Sequence, residues 1–274
     1  MTQRWLGLVA LFALLRSQPT AAQPAKLPKD LLGVTIAESL GARLDLDLQF
    51  LDHRGQLVRL RRYFADGKPV ILTLNYFRCT TLCDLQLNGL VNGLRGLAWV
   101  PGDQFRVVTI SFDPRDTVAI AAGKRASYLR SLGKAQADWH FLVAGARDAN
   151  ARRVARTVGF HYRYLPDQDQ YAHPAAIFLL SAGGKVARYL YGIEYQTRDL
   201  RFALVETSAG RVGSPVDKLI LSCYHYDPGT GRYAPFALGI MRLGGVVSTA
   251  LVGALLLVLW RRERRRRGPK ETPR

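Results

Sequence analysis

Between residues 69 and 208 the chain alternates short apolar runs, rich in β-branched and aromatic residues, with longer stretches of helical periodicity. That alternation limits the fold more than any single motif does. Residues 69–77 read as a buried strand. Leu82, Leu85, Leu90, Leu94 and Leu97 then recur at near-helical spacing, so a helix is expected to begin close to the strand's end. Residues 105–112 read as a second buried strand, closing on Asp113-Pro114, and 117–132 as a helix. His140–Val143 is a short strand, and 148–158 is a helix with Val154 and Val158 on one side. Residues 175–180 and 185–191 form a strand hairpin about Gly183-Gly184, and 198–208 a last helix. This order predicts an α/β sheet with helices on both faces. A terminal hairpin followed by a helix is what a thioredoxin-like fold requires. Residues 45–65 are expected to add an N-terminal hairpin turning at His53-Arg54-Gly55.

Two apolar segments flank this region and carry different meanings. Trp5–Leu15 follows Arg4 and precedes Ser17-Gln18-Pro19-Thr20-Ala21-Ala22. A basic start, a short apolar run and small residues are the parts of a secretory signal peptide over residues 1–22. Arg16 is an imperfection in it, and an uncleaved anchor is the competing reading. Leu243–Trp260 is longer, with eighteen residues and no charge. That length suits a helix crossing hydrocarbon, with Arg242 snorkelling to the interface. Six arginines fall within Arg261–Arg267, and the positive-inside rule assigns such a cluster to the cytoplasm. A buried core helix would not carry that tail. The expected organisation is a signal peptide at 1–22, a globular domain at 25–212, a linker at 213–235, a transmembrane helix at 236–260 and a basic cytoplasmic tail at 261–274. The globular domain then lies on the extracytoplasmic, periplasmic side of a single-pass membrane protein, where disulfides are permitted.

The net charge of +18 invites a nucleic-acid reading, but its distribution argues against one. The segment Arg261–Arg274 contributes +6 and Arg4 with Arg16 +2, which leaves +10 spread over the rest without a basic block interleaved with aromatics. A surface facing an acidic partner or anionic membrane lipid fits better, and no nucleic-acid partner is expected.

The chemistry is concentrated in few residues. Of three cysteines, Cys79 and Cys83 sit where a buried strand gives way to a helix. Four residues is close to one helical turn, which predicts that the two sulfurs face one side, at a helix N-terminus that favours thiolate. Converging thiolates serve either dithiol–disulfide exchange or soft-metal binding, with Cu(I) or Zn favoured. The spacing is one residue longer than the usual redox pair and leaves room for a metal, which then needs a third ligand. A purely structural disulfide would close a very small loop and stabilise little. His173 is the best third ligand, because the loop entering the strand at 175–180 faces the cysteine helix in a thioredoxin-like fold, and imidazole suits copper. The following Pro174 is at a position often cis. His53 reads as a turn residue, and His140 and His161 as strand-start residues satisfying backbone groups. Cys223-Tyr224-His225 offers a second, weak metal site, against packing of Cys223 on the domain.

Three segments in this order resemble the SCO/SenC family of copper chaperones: Phe77-Arg78-Cys79-Thr80-Thr81-Leu82-Cys83, Ser111-Phe112-Asp113-Pro114-Arg115-Asp116-Thr117 and Tyr171-Ala172-His173-Pro174. Residues 219–228, followed by an apolar helix, resemble a longer bacterial branch anchored at its C-terminus. The resemblance implies a thioredoxin-like fold holding one copper ion through Cys79, Cys83 and His173, with Asp113 as an acidic neighbour of the site. It implies a metallochaperone that helps assemble the copper centre of cytochrome c oxidase, its partners being the copper-receiving subunit and other copper chaperones or thiol reductants. It also implies an alternative, a thiol–disulfide oxidoreductase that uses Cys79 and Cys83 to keep a partner's copper-ligand cysteines reduced. Enzymatic activity is the less favoured of the two. Family members often carry Pro between the cysteines and Asp before the histidine, where this chain has Thr80-Thr81-Leu82 and Ala172.

Overall fold

The structure is a computed structural model that describes residues 31–79, 81–134, 136–145, 148–209, 224–227, 232–235 and 237–266. The expected signal peptide, Cys223 and most of the basic tail lie outside the described residues, as does most of the linker.

Three central strands are parallel: β4 (Val70–Asn75), β5 (Arg106–Ser111) and β6 (Trp139–Val143). They are joined by α1 (Leu82–Arg95) and α2 (Val118–Leu132). β10 (Ala176–Leu180) runs antiparallel to β4, and β11 (Val186–Tyr191) antiparallel to β10. On the other side β2 (Gln49–Asp52) pairs antiparallel with β6, and β3 (Leu57–Arg59) with β2. The seven strands therefore lie in the order β11-β10-β4-β5-β6-β2-β3. This is a thioredoxin-like sheet extended by an N-terminal hairpin that turns at His53, as the sequence leads one to expect.

Strand alternation divides the core into two layers. Val70, Leu72 and Leu74 of β4 face one layer, with Val108, Ile110, Phe178 and Leu180. Ile71 faces the other, with Val107, Ile177 and Leu179. The second layer is closed by α1, α2 and α4 (Thr197–Thr207) through Leu90, Leu94, Leu132 and Leu200. The first is closed by α3 (Asp148–Thr157) through Ala151, Val154 and Ala155, and by Leu60 and Tyr63. Within the sheet the buried hydroxyl of Thr109 accepts from Thr73 Oγ1 at 2.9 Å and from Trp139 Nε1 at 2.8 Å, so neither strand buries an orphan polar group there.

Between α3 and β10 the chain makes an excursion that the sequence pattern does not announce. β7 (Phe160–His161) pairs with β1 (Thr35–Ile36), and β8 (Arg163–Leu165) pairs with β9 (Gln170–Ala172). Beyond the domain, β12 (Tyr224–Asp227) and β13 (Arg232–Pro235) form an antiparallel hairpin, and α5 spans Ala237–Arg266. Within α5, Gly244–Glu263 has a mean hydropathy of 1.7, long and apolar enough to cross a membrane.

Candidate metal and thiol site

β4 delivers the chain into a turn in which Cys79 N–H donates to Tyr76 O, and α1 starts at Leu82. The two cysteines are therefore not one turn apart on a single helix, as their spacing predicts. Cys79 precedes the helix and Cys83 lies in its first turn. The sulfurs still converge, because Cys83 N–H donates to Cys79 Sγ at 3.5 Å. The N-cap residue Thr81 makes no side-chain cap, so the Cys79 sulfur takes one of the orphan amides of the helix start. Both thiols are free and buried.

His173 arrives from β9. Its Nδ1 lies 2.9 Å from Pro174 O, which makes Nδ1–H the donor and leaves the Nε2 lone pair for the cysteines. Nε2 is 3.2 Å from Cys83 Sγ. The bond to Pro174 is trans, since no cis peptide occurs among the described residues. Donor atoms of Cys79, Cys83 and His173 all lie within 4.8 Å of one another, each residue buried. Two thiolates and an imidazole are a donor set for a soft or borderline cation, and a tetrahedral or trigonal ion fits among atoms this close.

Electrostatics separates the two thiols. Cys79 is held well below the usual thiol range chiefly by the Cys83 thiol donating to it, against burial and with help from Tyr76. Burial, then the neighbouring Cys79 sulfur, pushes Cys83 up. The two sulfurs titrate as a pair, with Cys79 the more acidic side.

The rings of Tyr76, Phe112 and Phe160 stand 5.9, 5.5 and 6.0 Å from that of His173 and hold the imidazole on three sides. Asp113 lines the depression over Cys79, but arginines occupy its carboxylate. Arg115 Nε donates to it at 2.9 Å and Arg78 Nη2 at 3.2 Å. Burial alone would raise Asp113, yet Arg115 and Arg78 outweigh it and hold the carboxyl below its ordinary range. Asp113 thus meets the cysteine turn through Arg78. Sequence reasoning gave no role to Asp116, which is fully buried and accepts from Phe77 N–H and Ser111 Oγ, both at 2.5 Å.

The other histidines lie elsewhere. His140 Nε2 approaches Asp138 Oδ1 at 2.7 Å and its ring packs on Tyr63, so a carboxylate rather than the backbone is its neighbour, contrary to the sequence expectation. His53, in its turn, has neither ring nitrogen hydrogen-bonded, and burial first, then Arg125, lowers it to about 4. His161 is exposed, and the side chain of His225 lies outside the described residues.

The sequence profile of the SCO1/SenC family matches residues 37–205. No curated protein matches the chain. Among solved structures, a candidate electron transfer protein from Aquifex aeolicus VF5 is 25% identical, with a TM-score of 0.55, and the match covers 63% of this chain and 96% of that one. A candidate electron transport protein from the same organism is 25% identical with a TM-score of 0.51, covering 62% and 98%. ScoI of Arabidopsis thaliana, solved with copper bound, is 20% identical with a TM-score of 0.44, covering 58% and 91%.

Proposed function

The chain belongs to the SCO1/SenC family, and from that premise we propose that it is a membrane-anchored copper metallochaperone whose cargo is held by Cys79, Cys83 and His173. One observation carries the reading: three buried donors of the type that suits Cu(I) and Cu(II), drawn from two separate arms of the fold, converge within 4.8 Å. The chain's own residues prepare the site. The Pro174 carbonyl fixes the imidazole tautomer, as outer partners of metal-bound histidines do. The aromatic rings shut water from one side, and the Cys79 thiolate is preformed. Release follows by ligand exchange, in which a client's thiolate and imidazole replace these three donors one at a time. The client is the copper-receiving subunit of cytochrome c oxidase. The apolar segment of α5 anchors the chain, and the arginines after it set the domain on the extracytoplasmic side.

Copper titration of the reduced full chain in detergent, beside its His173→Ala variant, tests this. One copper per chain, with a thiolate-to-Cu(II) absorption band that His173→Ala abolishes or strongly weakens, is expected. Binding indifferent to His173 sinks the three-donor site.

The acid–base asymmetry of the cysteines favours a second reading, thiol–disulfide exchange with the same client. Cys79 thiolate attacks a client disulfide, one client sulfur leaves as thiolate, and Cys83, after losing its proton, displaces the other and closes the Cys79–Cys83 disulfide. The client gains two electrons and this chain loses two. Reduction of a client disulfide by Cys79 and Cys83 at full rate in His173→Ala is the expected signature.

A further inference from the structure

The excursion from Phe160 to Ala172 carries aromatic side chains that the central sheet does not require. Among the described residues β7 pairs only with β1 and β8 only with β9. Yet Tyr162, Tyr164 and Tyr171, together with Phe112 and the flank of α3, enclose a cavity of about 410 Å³. Tyr164 is 39% exposed at its rim. Arg152 and Arg156 of α3, one turn apart on the same flank, line the cavity, and among the described residues no carboxylate does, although Asp169, paired with Arg115, accepts from Tyr164 Oη at the rim.

We propose that this cavity is the docking site for an acidic segment of the client protein that inserts one aromatic side chain. The inference rests on the chaperone-or-reductant reading of the thiol–imidazole site and adds where the client is gripped.

The wall chemistry points to a polypeptide. Tyr, Phe and Arg in a concave patch are the residue types that dominate binding energy at protein interfaces. The volume accepts one ring with its backbone and lies at the lower end of the range for ligand pockets. The rim of exposed Tyr164 and Arg152 suits a chain that continues past the cavity rather than a small molecule closed in by it. The sign of the rim selects acidic neighbours for the inserted ring.

The position is as informative as the composition. Phe112 forms cavity wall and also stands 5.5 Å from the His173 ring, and it packs edge-on to Tyr171 at 5.4 Å. Tyr171 in turn meets Tyr76, the residue whose carbonyl accepts from Cys79 N–H. A segment seated in the cavity is thus separated from the third donor by a single ring. Docking there brings client ligands to the mouth of the site and presses on the cage that orients the imidazole.

The test uses the full chain in neutral phosphatidylcholine nanodiscs. The probes are two fluorescently labelled, end-blocked peptides, Asp-Glu-Trp-Glu-Asp and Lys-Lys-Trp-Lys-Lys, followed by anisotropy. Supporting results are saturable binding of the acidic peptide, weakened about tenfold or more by Arg152→Glu with Arg156→Glu, because the double change reverses the rim charge. The same variant should gain the basic peptide. Tyr164→Ala, at an exposed position, should weaken the acidic peptide by itself and keeps the test open if the double reversal disturbs α3. Copper stoichiometry should stay at the parental value in every variant. That separates the two readings, since a parent that binds the acidic peptide but no copper refutes the metal site alone. Absence of acidic-peptide binding by the parent overturns the proposal, as does binding indifferent to all three substitutions. Equal binding of N-acetyltryptophan would reassign the cavity to a small aromatic acid. Retention on phosphatidylglycerol vesicles that the double variant loses, without peptide binding, would reassign it to a lipid headgroup.

Discussion

The turn that carries Cys79 and the hairpin that leads to His173 meet at one site, but they are held by different means. The turn is fastened from inside: the side chains of Asp113 and Asp116 are fully buried, Asp116 accepts from Phe77 N–H, and α1 behind it packs into the core along its length. The hairpin is fastened from outside: among the described residues β8 and β9 pair only with each other, and the loop between them is tied by Asp169, whose side chain is 62% exposed and bonds Arg115 and Tyr164. One donor pair is therefore placed by packing, and the third donor by surface charge and ring contacts. On the proposed chaperone function this inequality is useful, since the sulfurs keep their geometry while the imidazole arm opens at lower cost.

The strongest way to break the comparison is to disturb α1 itself. A methyl group at Gly89 would lie 1.8 Å from the Ile193 carbonyl oxygen, and one at Gly93 2.4 Å from that of Tyr195. The nearest atoms to the Gly89 methyl are all backbone, so no side chain there can yield. Gly89→Ala is expected to cost about 3 kcal/mol or more in chemical denaturation and to displace Cys83 with its helix. A loss below about 1 kcal/mol would show that the helix is less firmly seated than its burial indicates.

Asp116→Ala comes next. It strands the Phe77 amide in the core beside the cysteine turn and leaves the Ser111 hydroxyl only its longer contact with Asp113 O, a loss of about 2–3 kcal/mol. The turn should loosen with it, so the reactivity of Cys79 toward a small alkylating reagent should rise. Unchanged alkylation would place the rigidity of the turn elsewhere.

The cysteine arm was largely legible in the sequence and the histidine arm was not, for physical reasons. β4, β5 and β10 announce themselves because every residue from Val70 to Asn75 and from Ala176 to Leu180 is buried, so sequence and burial coincide. In Phe160-His161-Tyr162-Arg163-Tyr164 the apolar positions alternate over pairings only two or three residues long, and which strand pairs with which depends on β1, far away in sequence. His173 could still be named, because its place before β10 follows from the fold class and not from the hairpin. The cysteine spacing suggested a helical turn, but the helix begins three residues later, where Thr81 offers no cap and a sulfur does. Asp113 could be singled out from its motif, while the role of Asp116 depends on how the segment after β5 folds back on Phe77, which no local pattern encodes.

Asp113 belongs to both arms, since Arg78 joins it to the cysteine turn and Arg115 joins it to Asp169. Its carboxyl lies below the ordinary 3.8 in the fold. The stabilisation it carries is therefore complete above that value and disappears as pH falls through the depressed one. Asp113→Asn should lower stability at neutral pH and flatten the acid limb of the stability–pH curve below about pH 4. An acid limb of parental steepness would remove Asp113 from the link between the arms.

The smallest effect sharpens the comparison most. Asp169→Asn removes a charge from an exposed ion pair, so global stability should change by less than about 1 kcal/mol. Local opening should respond more. Arg115 then keeps Asp113 and its ring contacts with Tyr164 and Tyr171 but loses its ion pair to the hairpin, and Tyr164 loses the charge on its acceptor. Amide exchange should quicken across residues 163–172 while β4 and α1 keep their parental protection. Copper should still bind at one per chain, with faster dissociation, because only the imidazole arm is released sooner. Equal quickening in both regions would mean that the arms open as one unit, and the division between a packed thiolate pair and a surface-tethered imidazole would then fail at its most sensitive point.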